Sequence, residues 1–169
     1  MDVSLGNCEA PLISKPYDWH VCMTEMAFTI SKMSKDPSTK IGSVLVSPDK
    51  SKISFGYNGF PRGVPDISTI WNNREDGNEF NKYELVIHSE ENAIMNAKCD
   101  VSGWSIYITH LPCLGCAKKI VQSGIKQVFY CHGQDKVKMN ANLSKVSQLF
   151  EVTKVAFSQI PIGSLKFGI

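Results

Sequence analysis

Residues 104–131, WSIYITHLPCLGCAKKIVQSGIKQVFYC, read as strand, helix, strand. The alternating apolar positions of 104–110 and 125–131 have the two-residue period of strands, and 113–123 has the spacing of a helix. Gly124 stands one residue past that helix, at the C′ position that favours φ > 0. Working outward, residues 88–98 read as another helix with Ile94 and Ala97 facing inward. Segments 41–47 and 52–57 read as a β-hairpin turned by Pro48-Asp49-Lys50-Ser51. A first helix spans 17–35, on the recurrence of Trp19, Cys22, Met23, Met26, Ala27, Ile30 and Met33, and Asp36-Pro37 ends it. A weaker helix at 141–150 and a strand at 152–157 close the order. Five strands alternating with helices predict an α/β fold: a three-layer α/β/α sandwich around one mixed five-stranded sheet.

The 169 residues carry no repeat and no linker long enough to separate two domains, so a single domain over 17–169 is expected, with 1–16 as an N-terminal arm. Residues 58–82, rich in Gly and Pro at their start, show no clear period. A connection that long in a compact domain is usually functional or covered by a partner.

Lys and Arg number 18 against 16 Asp and Glu, a formal charge of +2, which is too small an excess to indicate nucleic-acid or membrane binding. No apolar run approaches the roughly 18 residues that cross a bilayer, and the first 20 residues lack the pattern of a signal peptide. A cytoplasmic location is expected. In that reducing compartment the six cysteines are not a disulfide framework, and the informative pair is Cys113 and Cys116.

Two short segments concentrate the chemistry: His88-Ser89-Glu90 and Pro112-Cys113-Leu114-Gly115-Cys116, each at the start of a predicted helix. Two thiolates and one imidazole are donors that Zn²⁺ prefers, and a two-residue gap lets one helical turn aim both sulfurs at one ion. Three protein ligands leave one tetrahedral position open, the mark of a catalytic rather than a structural site. Zn²⁺ there lowers the pKa of water to about 7, and a carboxylate beside it, Glu90, takes and passes on the proton.

His-x-Glu followed by Pro-Cys-x-x-Cys is the signature of zinc-dependent cytidine deaminases. With 56–63 (GYNGFPRG), 88–94 (HSEENAI) and 122–126 (QSGIK), the chain resembles deoxycytidylate (dCMP) deaminases over about residues 17–158. That resemblance implies a cytidine deaminase-like fold and hydrolysis of dCMP to dUMP and ammonia, supplying dUMP for thymidylate synthesis. It implies one catalytic Zn²⁺ per subunit on His88, Cys113 and Cys116, with Glu90 as proton shuttle. The Ser89 backbone N–H, where the family usually has alanine, would bind the base O2, and Asn58 a sugar hydroxyl. The 5′-phosphate would fall to Ser38 and Lys40 or to the region of Tyr130. Tyr57, Gly59 and Arg62 are the expected contacts for dCTP or dTTP, with Mg²⁺, as effectors at a subunit interface. The expected assembly is a homo-oligomer, with a hexamer favoured, acting on a small-molecule nucleotide. Residues 59–87 hold neither Cys nor His, so a second zinc is not expected. The alternatives are a deaminase of another cytosine compound (cytidine, dCTP, a modified dCMP) or a non-catalytic zinc-binding regulator.

Overall fold

The computed structural model describes residues 17–75, 77, 80–131, 136–161, 163 and 165, with the side chains of 136–141 outside that description. The expected arm, 1–16, therefore lies outside the described residues. The helices are α1 (Trp19–Ser31), α2 (Ser68–Asn72), α3 (Lys82–Leu85), α4 (Ser89–Ala97), α5 (Leu114–Gln122) and α6 (Lys136–Val152). The strands are β1 (Gly42–Val46), β2 (Ile53–Tyr57), β3 (Ser105–Ile108), β4 (Gln127–Tyr130) and β5 (Ala156–Gln159).

The five strands form one mixed sheet in the order β2-β1-β3-β4-β5. β1 runs antiparallel to β2 and β3, while β3, β4 and β5 are parallel. Strand alternation sorts side chains into two cores. Leu45, Ile106, Ile108 and Val128 pack with Ala93, Ala117, Ile120 and Phe150 of α4, α5 and α6. Val44, Val46 and Tyr107 point to the other face, against Met23 and Ala27 of α1. Every residue of β1 is buried, as a central strand covered on both faces requires.

Two glycines set how closely the helices approach. On Gly42 a Cβ would lie 2.1 Å from the Ala27 carbonyl oxygen of α1; on Gly56 it would lie 2.3 Å from the Ala93 nitrogen of α4. Ser43 pairs with Gly56 and Gly42 with Tyr57, so the two close approaches sit side by side on opposite faces of the sheet.

The layered mixed sheet agrees with the reading from sequence, and differences fall at element ends. α1 stops at Ser31 because the chain tightens into i→i+3 bonds from Met33 to Ile30 and from Ser34 to Ser31. Segment 58–82 contains α2 and the start of α3, helices of five and four residues, too short to display a period. It is held by Trp71, which stacks on Phe60 at 3.8 Å. α6 extends well beyond 141–150, and its end displaces the last strand to Ala156–Gln159. Lys154, at φ 57°, makes the turn between them.

Candidate functional site

Both chemistry-bearing segments sit where a helix begins at one end of the sheet. His88 is the N-cap of α4 and Cys113 the N-cap of α5, with its sulfur accepting from the Cys116 N–H at 3.4 Å. His88 Nδ1 lies 3.5 Å from Cys113 Sγ and 3.3 Å from Cys116 Sγ, and the three donor atoms all fall within 4.8 Å of one another. Donors bonded to one ion at about 2.0 to 2.3 Å in a tetrahedron stand about 3.5 Å apart, so this set fits Zn²⁺. Among the described residues it is the one such cluster. The thiols behave as a coupled pair. The hydrogen bond with Cys116, aided by His88, holds the Cys113 thiol down to about 3, while sharing with Cys113 and burial push Cys116 up. Two sulfurs sharing one negative charge are a ready acceptor for a cation.

Glu90, 4% exposed, lies in the first turn of α4. Burial pushes its carboxyl above the ordinary glutamate range. Its Oε2 accepts from Ser89 Oγ at 3.0 Å, and Ser89 Oγ in turn lies 2.7 Å from Ser43 Oγ of β1. A buried carboxyl so perturbed and so close to a metal-type donor set is suited to proton transfer.

A cavity of about 250 Å³ opens beside these residues, lined among others by His88, Ser89, Asn58, Asp36, Lys82 and Tyr83. Asn58 is fixed within its wall. Its Nδ2 donates to Asp36 Oδ2 at 3.1 Å and to the Thr39 carbonyl at 3.0 Å, while Oδ1 accepts from the Ile41 N–H at 2.8 Å. Asp36 is itself paired with Lys82 at 2.8 Å, both side chains almost fully buried. Burial pushes the Asp36 carboxyl up, but hydrogen bonds from Lys82 and the Ser38 and Thr39 N–H groups outweigh it and hold it below the usual range.

Lys40 and Tyr130 are not brought into the lining of this cavity. Lys40 is exposed, one residue beyond Thr39, and Tyr130 is buried against Phe157, the rings 4.6 Å apart. Ser38 is not in that lining either; it is exposed, and its hydroxyl accepts from Arg74. Tyr57, Gly59 and Arg62 are not in that lining; Gly59 pairs with Ile87 in an isolated bridge. The Tyr57 carbonyl accepts from Asn92 Nδ2, and Arg62 reaches Asn96 in a separate groove of about 310 Å³ that shares no lining residue with the first. Asp36, Lys82 and Tyr83, which line the cavity, escape a reading of sequence. Asp36-Pro37 registers as a helix stop, and the other two fall in or beside a stretch without period.

The fold and donor set together define an α/β protein with a His-Cys-Cys cluster able to hold one metal ion beside a buried carboxyl. Residues 17–132 match the family model described as the cytidine and deoxycytidylate deaminase zinc-binding region, and the chain belongs to that family. It is 36% identical over 141 residues to the deoxycytidylate deaminase of Mus musculus, covering 83% of this chain and 78% of that one. It is 40% identical over 148 residues to an uncharacterized deaminase in the luxG 3′ region of Aliivibrio fischeri, covering 88% and 90%. Among solved structures, the dCMP deaminase of cyanophage S-TIM5 in apo form superposes with a TM-score of 0.63 at 24% identity, over 87% of this chain and all of that one. That likeness establishes the cytidine deaminase-like fold. Among the described residues no helix is long and apolar enough to cross a membrane.

Proposed function

We propose that this protein hydrolyses dCMP to dUMP and ammonia. The observation that carries the reading is the buried Glu90 carboxyl beside the His88, Cys113 and Cys116 donor set, in a chain whose relatives include named deoxycytidylate deaminases. His88, Cys113 and Cys116 would hold Zn²⁺, which would supply the Lewis acidity that makes water nucleophilic near neutral pH. Glu90 takes a proton from that water and delivers it to N3 of the ring. As the bond from C4 to oxygen forms and the bond from C4 to nitrogen breaks, the same carboxyl passes a proton to the departing amine, so that water and dCMP become dUMP and ammonia.

Ser89 holds the base through its backbone N–H to O2, and its hydroxyl orients Glu90. Asn58 meets the sugar. Because both Nδ2 protons are used within the protein, its remaining capacity is one Oδ1 lone pair, and it serves as an acceptor from a sugar hydroxyl. The groove carrying Arg62, with Tyr57 and Gly59 at its margin, is the proposed place for dCTP or dTTP with Mg²⁺ in a cytoplasmic homo-oligomer, a hexamer in this reading.

The test is ammonia release by the zinc-loaded protein from dCMP, CMP, deoxycytidine and dCTP, beside Glu90→Gln. Preference for dCMP is expected, with the variant retaining zinc and losing about 10²- to 10⁴-fold in rate. Equal activity of the two proteins, or no deamination of any of the four compounds, overturns the proposal.

A further inference from the structure

We propose that Asn58-Gly59 is a self-modification site that the native fold holds inactive: loss of structure converts Asn58 to aspartate or isoaspartate, and the altered chain does not rebuild the wall beside the metal-type donors. It is the single Asn-Gly pair in the 169 residues. Glycine, without a Cβ, least hinders attack of its own backbone nitrogen on the preceding asparagine side chain. In that reaction the Gly59 nitrogen gives its proton to base and bonds to Asn58 Cγ. The bond from Cγ to Nδ2 breaks, and the amide nitrogen leaves as ammonia with a proton from water. Water then opens the cyclic imide at either carbonyl, so the balance needs no oxidant or reductant.

Ring closure requires the peptide between the two residues to rotate until its nitrogen faces Cγ, and the fold blocks both partners. The Gly59 N–H donates to the Ile87 carbonyl at 3.1 Å, and the Gly59 carbonyl accepts from the Ile87 N–H at 2.8 Å. The Asn58 carbonyl, on the same peptide, accepts from the buried Ser34 hydroxyl at 2.8 Å. The side chain is pinned by its three bonds to Asp36, Thr39 and Ile41, and the residue is 5% exposed. Reaction therefore waits on opening of this segment.

The same contacts make the product incompatible with the native wall. A carboxylate at 58 loses both Nδ2 donors and meets the Asp36 carboxylate, a like charge in a buried place. Isoaspartate lengthens the backbone where Gly59 pairs with Ile87, the residue before His88. The glycine itself is not demanded by the fold. A Cβ on it would meet the Tyr57 ring at 3.7 Å, an ordinary contact, and it is not among the residues at positive φ. Gly59→Ala thus hinders the attack without straining the native chain.

The experiment incubates the full chain and Gly59→Ala at mildly alkaline pH, in native buffer and in urea, and follows the peptide holding Asn58 by mass spectrometry. Wild type is expected to convert in urea and about 10-fold or more slowly in native buffer, with Gly59→Ala slow in both. On removal of urea, the converted fraction should recover less soluble protein and bind less zinc than unconverted chain taken through the same steps. Absence of conversion in urea overturns the site, and equal rates in the two buffers overturn the restraint by the fold. Converted chain that refolds with full zinc content overturns the stated consequence.

Discussion

Ser43 of β1 and Ser89 of α4 face each other through their hydroxyls at 2.7 Å, fully buried, and the Ser89 hydroxyl goes on to donate to Glu90. Ser89→Ala removes the donor to Glu90 and leaves the Ser43 oxygen without that partner. It should lower stability by about 1 kcal/mol and slow turnover several-fold. Adding Ser43→Ala should restore much of the stability, because both members of the pair are then apolar, without restoring turnover. Urea melts and steady-state rates on the single and double variants check both halves, and full turnover in Ser89→Ala would exclude an orienting role.

Cys113→Ala removes one of three donors and the N-cap acceptor of α5 together. Bound zinc, measured on protein purified without added metal, should fall from near one per chain to a small fraction, and deamination should vanish with it. Chelation of the wild type should reproduce the loss of activity, and zinc should reverse it. Full metal content in the variant would place the ion elsewhere.

The buried Asp36–Lys82 pair makes a strong prediction about stability. Lys82→Met leaves Asp36 enclosed without its counter-charge and should cost about 3 to 5 kcal/mol. Adding Asp36→Asn, which removes the orphaned charge, should recover part of it. A melt of Lys82→Met indistinguishable from wild type would show the pair to be incidental.

The same pair fixes a pH dependence. The Asp36 carboxyl is lower in the folded state than in the unfolded chain, so its contribution is complete above the ordinary carboxylate range. That contribution disappears as pH falls through the depressed folded value. Stability measured from pH 6 downward should therefore fall less steeply in Asp36→Asn, a protein less stable at neutral pH, than in wild type. Parallel acid limbs would refute this.

Gly56→Ala forces a Cβ to within 2.3 Å of the backbone of α4, where no side chain can yield. Displacement of that helix should destabilise the fold by about 1 to 3 kcal/mol or more and weaken zinc binding, since His88 caps the same helix. Gly63→Ala, with open space around it but φ of 92°, should cost less and leave zinc affinity intact. Thermal melts and zinc titration of both variants separate packing from backbone strain.

The donor set was legible because its geometry is local to each segment: Cys113 and Cys116 share one helical turn, and His88 precedes Glu90 within a single helix start. The layered sheet was legible because its strands alternate and its helices carry apolar stripes. Asp36 and Lys82 were not, since 46 residues separate them and neither residue type announces burial. α2 and α3 were hidden by brevity, and the beginning of β5 by a helix whose last turn is as apolar as a strand.

Along the chain His88 precedes Cys113 by 25 residues, with β3 between them. An ion held by His88, Cys113 and Cys116 would close a loop of that length and pin the start of α4 to the start of α5, so it would act as a staple between two segments as well as a reagent.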